Sequence, residues 1–588
     1  MGDAVAATPH GGAGAGAVPD PDMPPSRCIG ANAPGVNIVK LRTLIATAIL
    51  LWFVSKPAFS QAPPSAAIPH LAKQGTATQL IVDGKPFLVL GAELNNSSAS
   101  SQEYMRPLWS KIAATNLNTV LGTVSWELME PQEGRFDFSL LDGQIQDARR
   151  NHRHLIVIWF GSWKNGKSTY QPAWVKTNQQ RFPIIQDEKG KGLPTLSTLG
   201  DATRDADARA FAALMRHIRE VDGDAHTVLM MQVENEVGVL GPARDHSPAA
   251  NKAFAGPVPT EFMDYLQKHK DTLIPELRKR WEAAGFKTAG SWAEVFGAGL
   301  ETEELFMAWN YGKYIGYVAA AGKAEYPIPM FVNTWLRQGP DKPNEDKPGG
   351  YPSGGPLPQV FDAWHAAAPA IDILSPDVHV PNYDDWCGWY KQSGNPLFIP
   401  ESRGDARGVA HAMATAAKYE GIGYSPFGID RLANPEGELG RGYQVLSQVA
   451  PLILERQGLG KVTAVLVDAQ TPRSKVRLGD YTIEARFAAR SADPNAPVAA
   501  PVDRVAGTFI QLGPDEFVIV GRSMNIYFES ATDPADSVGL VSVDEGQYVD
   551  GHWVPGRRLN GDETPDWRAL WFPGDRYSIQ RVKLYRYR

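Results

Sequence analysis

Met231-Gln-Val-Glu-Asn-Glu-Val-Gly238 completes an apolar run that begins at Val228 and passes within a few residues from hydrocarbon to carboxylate. A strand buried on both faces, as in a parallel sheet, reads as a continuous apolar stretch rather than as an alternation. Residues 228–234 have that character, and they deliver Glu234, Asn235 and Glu236 at the C-terminal end. A second run, Pro396-Leu-Phe-Ile-Pro-Glu-Ser-Arg403, ends as abruptly in Glu401. Working outward, six further apolar runs at 87–93, 118–124, 154–160, 328–333, 371–375 and 421–427 are separated by helix patterns. One of these begins with a capping Ser101 and repeats apolar groups at Met105, Leu108, Trp109 and Ile112. Residues 206–219, 260–284 and 405–419 give others. Eight strand and helix units predict an α/β protein, a closed (β/α)8 TIM barrel over 69–430, with a doubly wound open sheet as the alternative.

Beyond residue 460 the texture changes to short β-rich runs broken by Gly and Pro, including 461–468, 481–488, 516–521 and 579–587. This predicts a smaller C-terminal all-β domain over 461–588, sandwich-like, joined to the barrel by a linker and packing helix over 431–460. Trp553, Trp567 and Trp571 suit either the core of that domain or a carbohydrate surface. At the other end, residues 1–35 are rich in Gly, Ala and Pro and lack the apolar side chains that offset ordering entropy. They read as a disordered leader, and a misplaced start is one explanation for it. Lys40 and Arg42, an apolar run at 44–54 and the small-residue site Ala58-Phe59-Ser60 then give 36–60 the anatomy of a signal peptide. The expectation is an exported protein, periplasmic or secreted, with no stable membrane span after cleavage; a membrane anchor is the competing reading.

Composition narrows the function. The chain has 588 residues, with 58 Lys and Arg against 65 Asp and Glu, and no basic stripe to follow a phosphate backbone, so nucleic acid is not an expected partner. Cys28 and Cys387 are the only cysteines, too few for a disulfide framework, and the twelve His show no zinc-ligand spacing. No metal and no cofactor are expected. The 16 Trp, 19 Tyr and 22 Phe suit both core packing and stacking on sugar faces.

In a barrel, side chains at the C-terminal strand ends surround the active site. Glu236 and Glu401 would then end the fourth and seventh strands and converge across the mouth. Glycoside cleavage requires such a pair, because its transition state resembles an oxocarbenium ion: one carboxylic acid protonates the leaving oxygen while a carboxylate meets the anomeric carbon. Glu236 is the candidate acid/base and Glu401 the candidate nucleophile of a retaining mechanism, with Asn235 placed for a sugar hydroxyl. An acidic strand end can also cap a helix or pair with Arg403 or Arg407. By the same geometry Glu93 and Asn95 end strand one, Trp335 follows strand five, and Tyr383 and Trp386 follow strand six. Each, with Trp163, is a candidate substrate contact or a rim packing group.

These segments resemble glycoside hydrolase family 35, the β-galactosidases. Gln232-Val-Glu-Asn-Glu-Val-Gly238 is similar to the family's QIENEYG, which implies the acid/base at Glu236. Trp126-Glu-Leu-Met-Glu-Pro-Gln-Glu-Gly-Arg-Phe-Asp-Phe138 is similar to WNxHEPxxGxFDF. The C-terminal stretch 545–563 resembles the β-domain of a bacterial subgroup. Two departures stand out. Glu127 replaces the family Asn, where it would contact a sugar hydroxyl or a neighbouring Lys, and Trp159-Phe-Gly-Ser-Trp-Lys-Asn-Gly166 replaces RPGPYICAEW. The resemblance implies an exo-acting β-galactosidase that takes a carbohydrate partner, such as xyloglucan or galactan oligosaccharides of plant cell walls. The alternatives are a retaining β-glucosidase, β-xylosidase or β-mannosidase, and a non-catalytic glycan-binding protein.

Overall fold

The computed structural model describes residues 67–488 and 504–588. The leader and signal-peptide expectations, and Cys28 with them, lie outside the described residues. Eight parallel strands close on themselves in sequence order. They are β1 (Val89–Glu93), β2 (Thr119–Ser125), β3 (His154–Lys164), β4 (Val228–Asn235), β5 (Met330–Trp335), β6 (Ile373–Val378), β7 (Phe398–Ser402) and β8 (Gly423–Pro426). The apolar runs became these strands because both strand faces are covered: one set of side chains fills the barrel and the other meets the helices. The barrel interior holds Val89, Leu121, Ile156, Ile158, Phe331 and Phe398 in one cluster. The open-sheet alternative is excluded by the pairing of β8 with β1.

Two helix expectations are corrected. The pattern after Ser101 forms two short helices, Gln102–Met105 and Trp109–Ala113, with Pro107 between them. Ser101 does cap the first, its Oγ accepting from the Tyr104 N–H at 3.2 Å. The pattern at 260–284 likewise divides into Thr260–Lys268 and Pro275–Ala283. Proline has no N–H to donate and its ring clashes with the preceding turn, so each helix restarts at or beyond it.

The C-terminal strands form two antiparallel sheets, of six and four strands. Val465, Phe509, Phe517 and Val582 of the larger meet Tyr481, Ile483, Ile526 and Phe572 of the smaller in one core, which makes a sandwich. The helix Glu438–Arg456 lies against both parts. Its Gly442 abuts Val409 of the barrel helix Ala406–Ala417, and its Gln448 accepts the Tyr548 backbone N–H at 3.1 Å. Cys387 is buried, and burial pushes its thiol pKa up, the state of a small hydrophobe rather than a nucleophile.

Candidate active site

At the end of β4 the chain abandons regular strand geometry. Glu234 and Glu236 both adopt left-handed backbone, with φ of 64° and 45°, which costs about 1–3 kcal/mol for each such residue and persists only where surroundings enforce it. The surroundings are visible. The Glu234 carboxylate, buried beneath the site, accepts the backbone N–H groups of Ser162 and Trp163 at 3.0 and 2.7 Å. The N–H groups of Asn165 and Gly166 donate to the carbonyls of Asn235 and Glu236. On the other side, the Glu236 N–H donates to Asn333 Oδ1 at 2.9 Å. The end of β3 and the end of β5 therefore clamp the tip of β4.

Glu236 and Glu401 line one cavity of about 200 Å³ together with Asn165, Trp335, Gln338, Asp377 and His379. Asn165 Nδ2 donates to Glu236 Oε2 at 2.6 Å. His379 Nε2 lies 3.1 Å from Glu401 Oε1, while Glu401 Oε2 has no protein partner among the described residues. Burial, reinforced by the negative charge of Glu401, pushes the Glu236 carboxyl up to about 7, against the opposing pull of Lys164 and His379. Asp377 and Glu93 are also raised well above the usual carboxylate range, first by burial and then by repulsion from Glu401. Four carboxyls thus share one low-dielectric region with, among the described residues, one buried cation, Lys164, whose Nζ donates to Asn235 Oδ1 at 2.9 Å. Asn235 Nδ2 has no protein partner among the described residues.

The other candidates divide. Glu93 is fully buried beside Glu236 and Glu401, and Trp335 is half-buried in the cavity lining. Tyr383 is not at the cavity. It is fully buried at the start of the helix Tyr383–Tyr390, stacked on His411 with ring centroids 3.8 Å apart, and its hydroxyl donates to the His411 carbonyl at 2.8 Å. Four residues separate the end of β6 from this helix, which turns the ring into the helical layer. Glu127 also stands elsewhere: its carboxylate pairs with Lys176 at 2.8 Å and borders a separate cavity. Trp163 packs edge-on against Tyr311 and Tyr314, and Trp386 borders a different groove, so both are packing groups with respect to this site. The Asn95 N–H is tied to Asp430 at 3.0 Å.

The segment Trp126–Phe138 is a brace rather than a contact surface. Glu130 accepts the Trp126 indole N–H and the Gly134 backbone N–H, both at 2.7 Å. Gly134 has φ of 75°, a conformation that glycine adopts without steric cost. Asp137 accepts the Ser139 N–H at 2.9 Å, at the start of the next helix.

Sequence reasoning missed Asp377, His379, Lys164, Asn165 and Asn333. Asp377 and His379 flank the end of an apolar strand, as Glu401 does, and that signal was available. The roles of Lys164 and Asn165 depend on how far β3 extends, which apolar patterning does not report.

A family model described as beta-galactosidase, that of glycoside hydrolase family 42, matches residues 99–297. A domain of unknown function, DUF5597, matches 439–570. A beta-galactosidase of Xanthomonas manihotis is 28% identical over 218 residues, covering 36% of this chain and 33% of that protein. Beta-galactosidase GalA of Bacillus licheniformis is 25% identical over 187 residues, covering 32% of this chain and 25% of its own length. The chain thus spans a third or less of the length of these curated relatives. A solved beta-galactosidase structure from Bacillus circulans sp. alkalophilus aligns at a TM-score of 0.41 and 14% identity, covering 63% of this chain and 57% of that one.

Proposed function

We propose that this chain is a retaining glycoside hydrolase that removes terminal β-galactosyl residues, with Glu236 as general acid/base and Glu401 as nucleophile. The observation that carries the proposal is the Glu236 carboxyl, buried in the same cavity as Glu401 and raised to about 7 by desolvation and by that neighbour's charge. A general acid has to hold its proton near working pH, while the nucleophile presents a bare oxygen. Glu401 Oε2, without a protein partner among the described residues, is such an oxygen.

In the first step Glu236 gives its proton to the leaving glycosidic oxygen as Glu401 bonds to the anomeric carbon. The glycosyl ester neutralises Glu401, so the repulsion that raised Glu236 disappears, its pKa falls, and Glu236 stays ionised to serve as the general base. It then takes a proton from water, which cleaves the ester and restores both groups. Trp335 gives the cavity a half-buried ring for a sugar face, while Asn235, expected at the sugar, lies buried next to Glu236 outside the cavity lining, with its amide N–H unpartnered among the described residues. The small cavity, below the roughly 300–1,000 Å³ of larger ligand sites, suits one terminal ring and hence exo action. The motifs at 126–138 and 232–238 resemble those of family 35 but lie within the residues that the family 42 model matches, and both families are described as β-galactosidases. The activity named for the curated relatives supports galactosides, and oligosaccharides of plant cell walls outside the cytoplasm are the natural substrates proposed.

The test is hydrolysis of nitrophenyl β-galactoside by wild type, Glu236→Ala and Glu401→Ala, with and without azide. Both variants should lose turnover. Azide should yield a β-galactosyl azide from the Glu236 variant and the α anomer from the Glu401 variant. Near-normal turnover in either variant would refute the assignment of that residue, and a panel of other nitrophenyl glycosides reads the sugar directly.

A further inference from the structure

A groove of about 850 Å³ is lined wholly by residues of the C-terminal part, far larger than the cavity at the barrel mouth. Four of its lining residues are aromatic, and three of them, Trp567, Tyr585 and Tyr587, are 76%, 46% and 39% exposed. Exposed rings of this size lose favourable burial and call for an explanation when they cluster.

The cluster is built into the sheet. Val582 and Leu584 of the strand Ser578–Tyr587 point into the sandwich core, so alternation turns Tyr585 and Tyr587 to the opposite face. Tyr585 pairs across with Gly539 of Ser537–Val549. A Cβ at that glycine would come within 2.4–2.7 Å of the Tyr585 ring atoms. The absent side chain is what lets the ring lie down on the backbone, with its outer face open. Tyr587 lies near-parallel to it, with centroids 5.4 Å apart and planes 29° apart. Trp567, at the end of the turn Pro565–Trp567, is held in left-handed backbone with φ of 52°, an arrangement that costs stability and presents the indole to the groove rather than to a core. The same lining carries hydrogen-bonding groups, among them Asn560 and Arg568.

We propose that this groove binds a carbohydrate chain, the apolar faces of its pyranose rings resting on Tyr585, Tyr587 and Trp567 and its hydroxyls meeting Asn560 and Arg568. A groove lined by exposed rings together with planar donors and acceptors matches a ligand that is apolar on its faces and polar at its edges. A self-association surface would place the rings in a dry centre with a polar rim. The site is separate from the barrel cavity and shares no residue with it. Its role is to hold the enzyme on the polymer whose ends the barrel consumes, a role that rests on the proposed glycosidase activity, although the binding itself does not.

The test is native affinity electrophoresis of the full chain through gels containing soluble xyloglucan, β-galactan or β-mannan. Wild type and Tyr585→Phe should be retarded by at least one polymer. Trp567→Ala and Tyr585→Ala should bind it about tenfold more weakly, as expected for the loss of an anchoring ring, with unchanged melting temperature. Because Trp567 is so exposed, its substitution provides a variant that folds. Retardation equal to wild type in both alanine variants, or no retardation of wild type in any polymer, would overturn the proposal. So would a change of oligomeric state on gel filtration in the alanine variants, which would assign the rings to self-association. Hydrolysis of nitrophenyl β-galactoside, read in parallel, reports on the barrel alone: retardation without hydrolysis would sink the activity and leave the groove standing.

Discussion

Asn333 joins the acid/base candidate to its neighbours across three strands: it accepts the Glu236 backbone N–H at 2.9 Å and donates to Asp377 Oδ2 at 2.7 Å. One amide thereby fixes the tip of β4 and orients the carboxyl that ends β6. A side chain that both accepts from and donates to its neighbours in a buried site leaves little freedom, and small displacements of catalytic groups are costly.

Removing the charge of Glu401 should lower the Glu236 pKa, since that charge is the second cause of its elevation after burial. In Glu401→Gln, the carboxyl of Glu236 followed by carbon NMR should titrate below its wild-type midpoint of about 7. A midpoint that stays put or rises would show that the two groups do not share the field proposed.

Stability should carry the same signature. Folded Glu236 holds its proton to about pH 7, against an ordinary value of 4.5, so the folded state binds more protons across that window and its stability falls as pH rises through it. Glu236→Gln removes the penalty. Chemical denaturation should find this variant more stable than wild type by about 1–3 kcal/mol at pH 8, with the difference gone below pH 4.5. A variant less stable at pH 8 would contradict the assigned shift.

Lys164 pulls Glu93, Glu236 and Asp377 downward and holds Asn235 through its side-chain oxygen. Lys164→Met should therefore move the basic limb of the kcat/KM profile, which reports deprotonation of the acid, to higher pH. It should also lower the maximum by roughly tenfold or more. An unshifted limb would mean that Lys164 acts on packing alone.

Glu130→Ala and Tyr383→Phe separate brace from site. The first strands the Trp126 indole N–H and the Gly134 N–H, and the second removes a buried donor to the His411 carbonyl. Each should cost about 1–3 kcal/mol in thermal or denaturant unfolding, while the pH midpoints of kcat/KM stay at wild-type values. A displaced midpoint in Tyr383→Phe would return that residue to the substrate site.

The barrel was legible because burial on both faces forces apolar runs, and eight such runs separated by helix patterns leave few other ways to cover them. Glu236 and Glu401 were legible for a related reason: a carboxylate at the end of a buried run is conspicuous against its local sequence. Glu127 and Tyr383 were placed by position along the chain, and position along the chain does not give direction. Glu127 turns to Lys176, while Tyr383 is already in a helix and faces His411. Local patterning by itself determined the order of elements, the change of texture near residue 460 and the two acidic strand ends. Only the tertiary structure decided that Asp377, Lys164, His379 and Glu93 stand around those ends, and that Trp567 is exposed rather than in a core. The reason is physical: hydrophobic periodicity is a one-dimensional property of neighbouring residues, whereas the field on a buried carboxyl is a sum over charges that the closed barrel brings together from strands far apart in the chain.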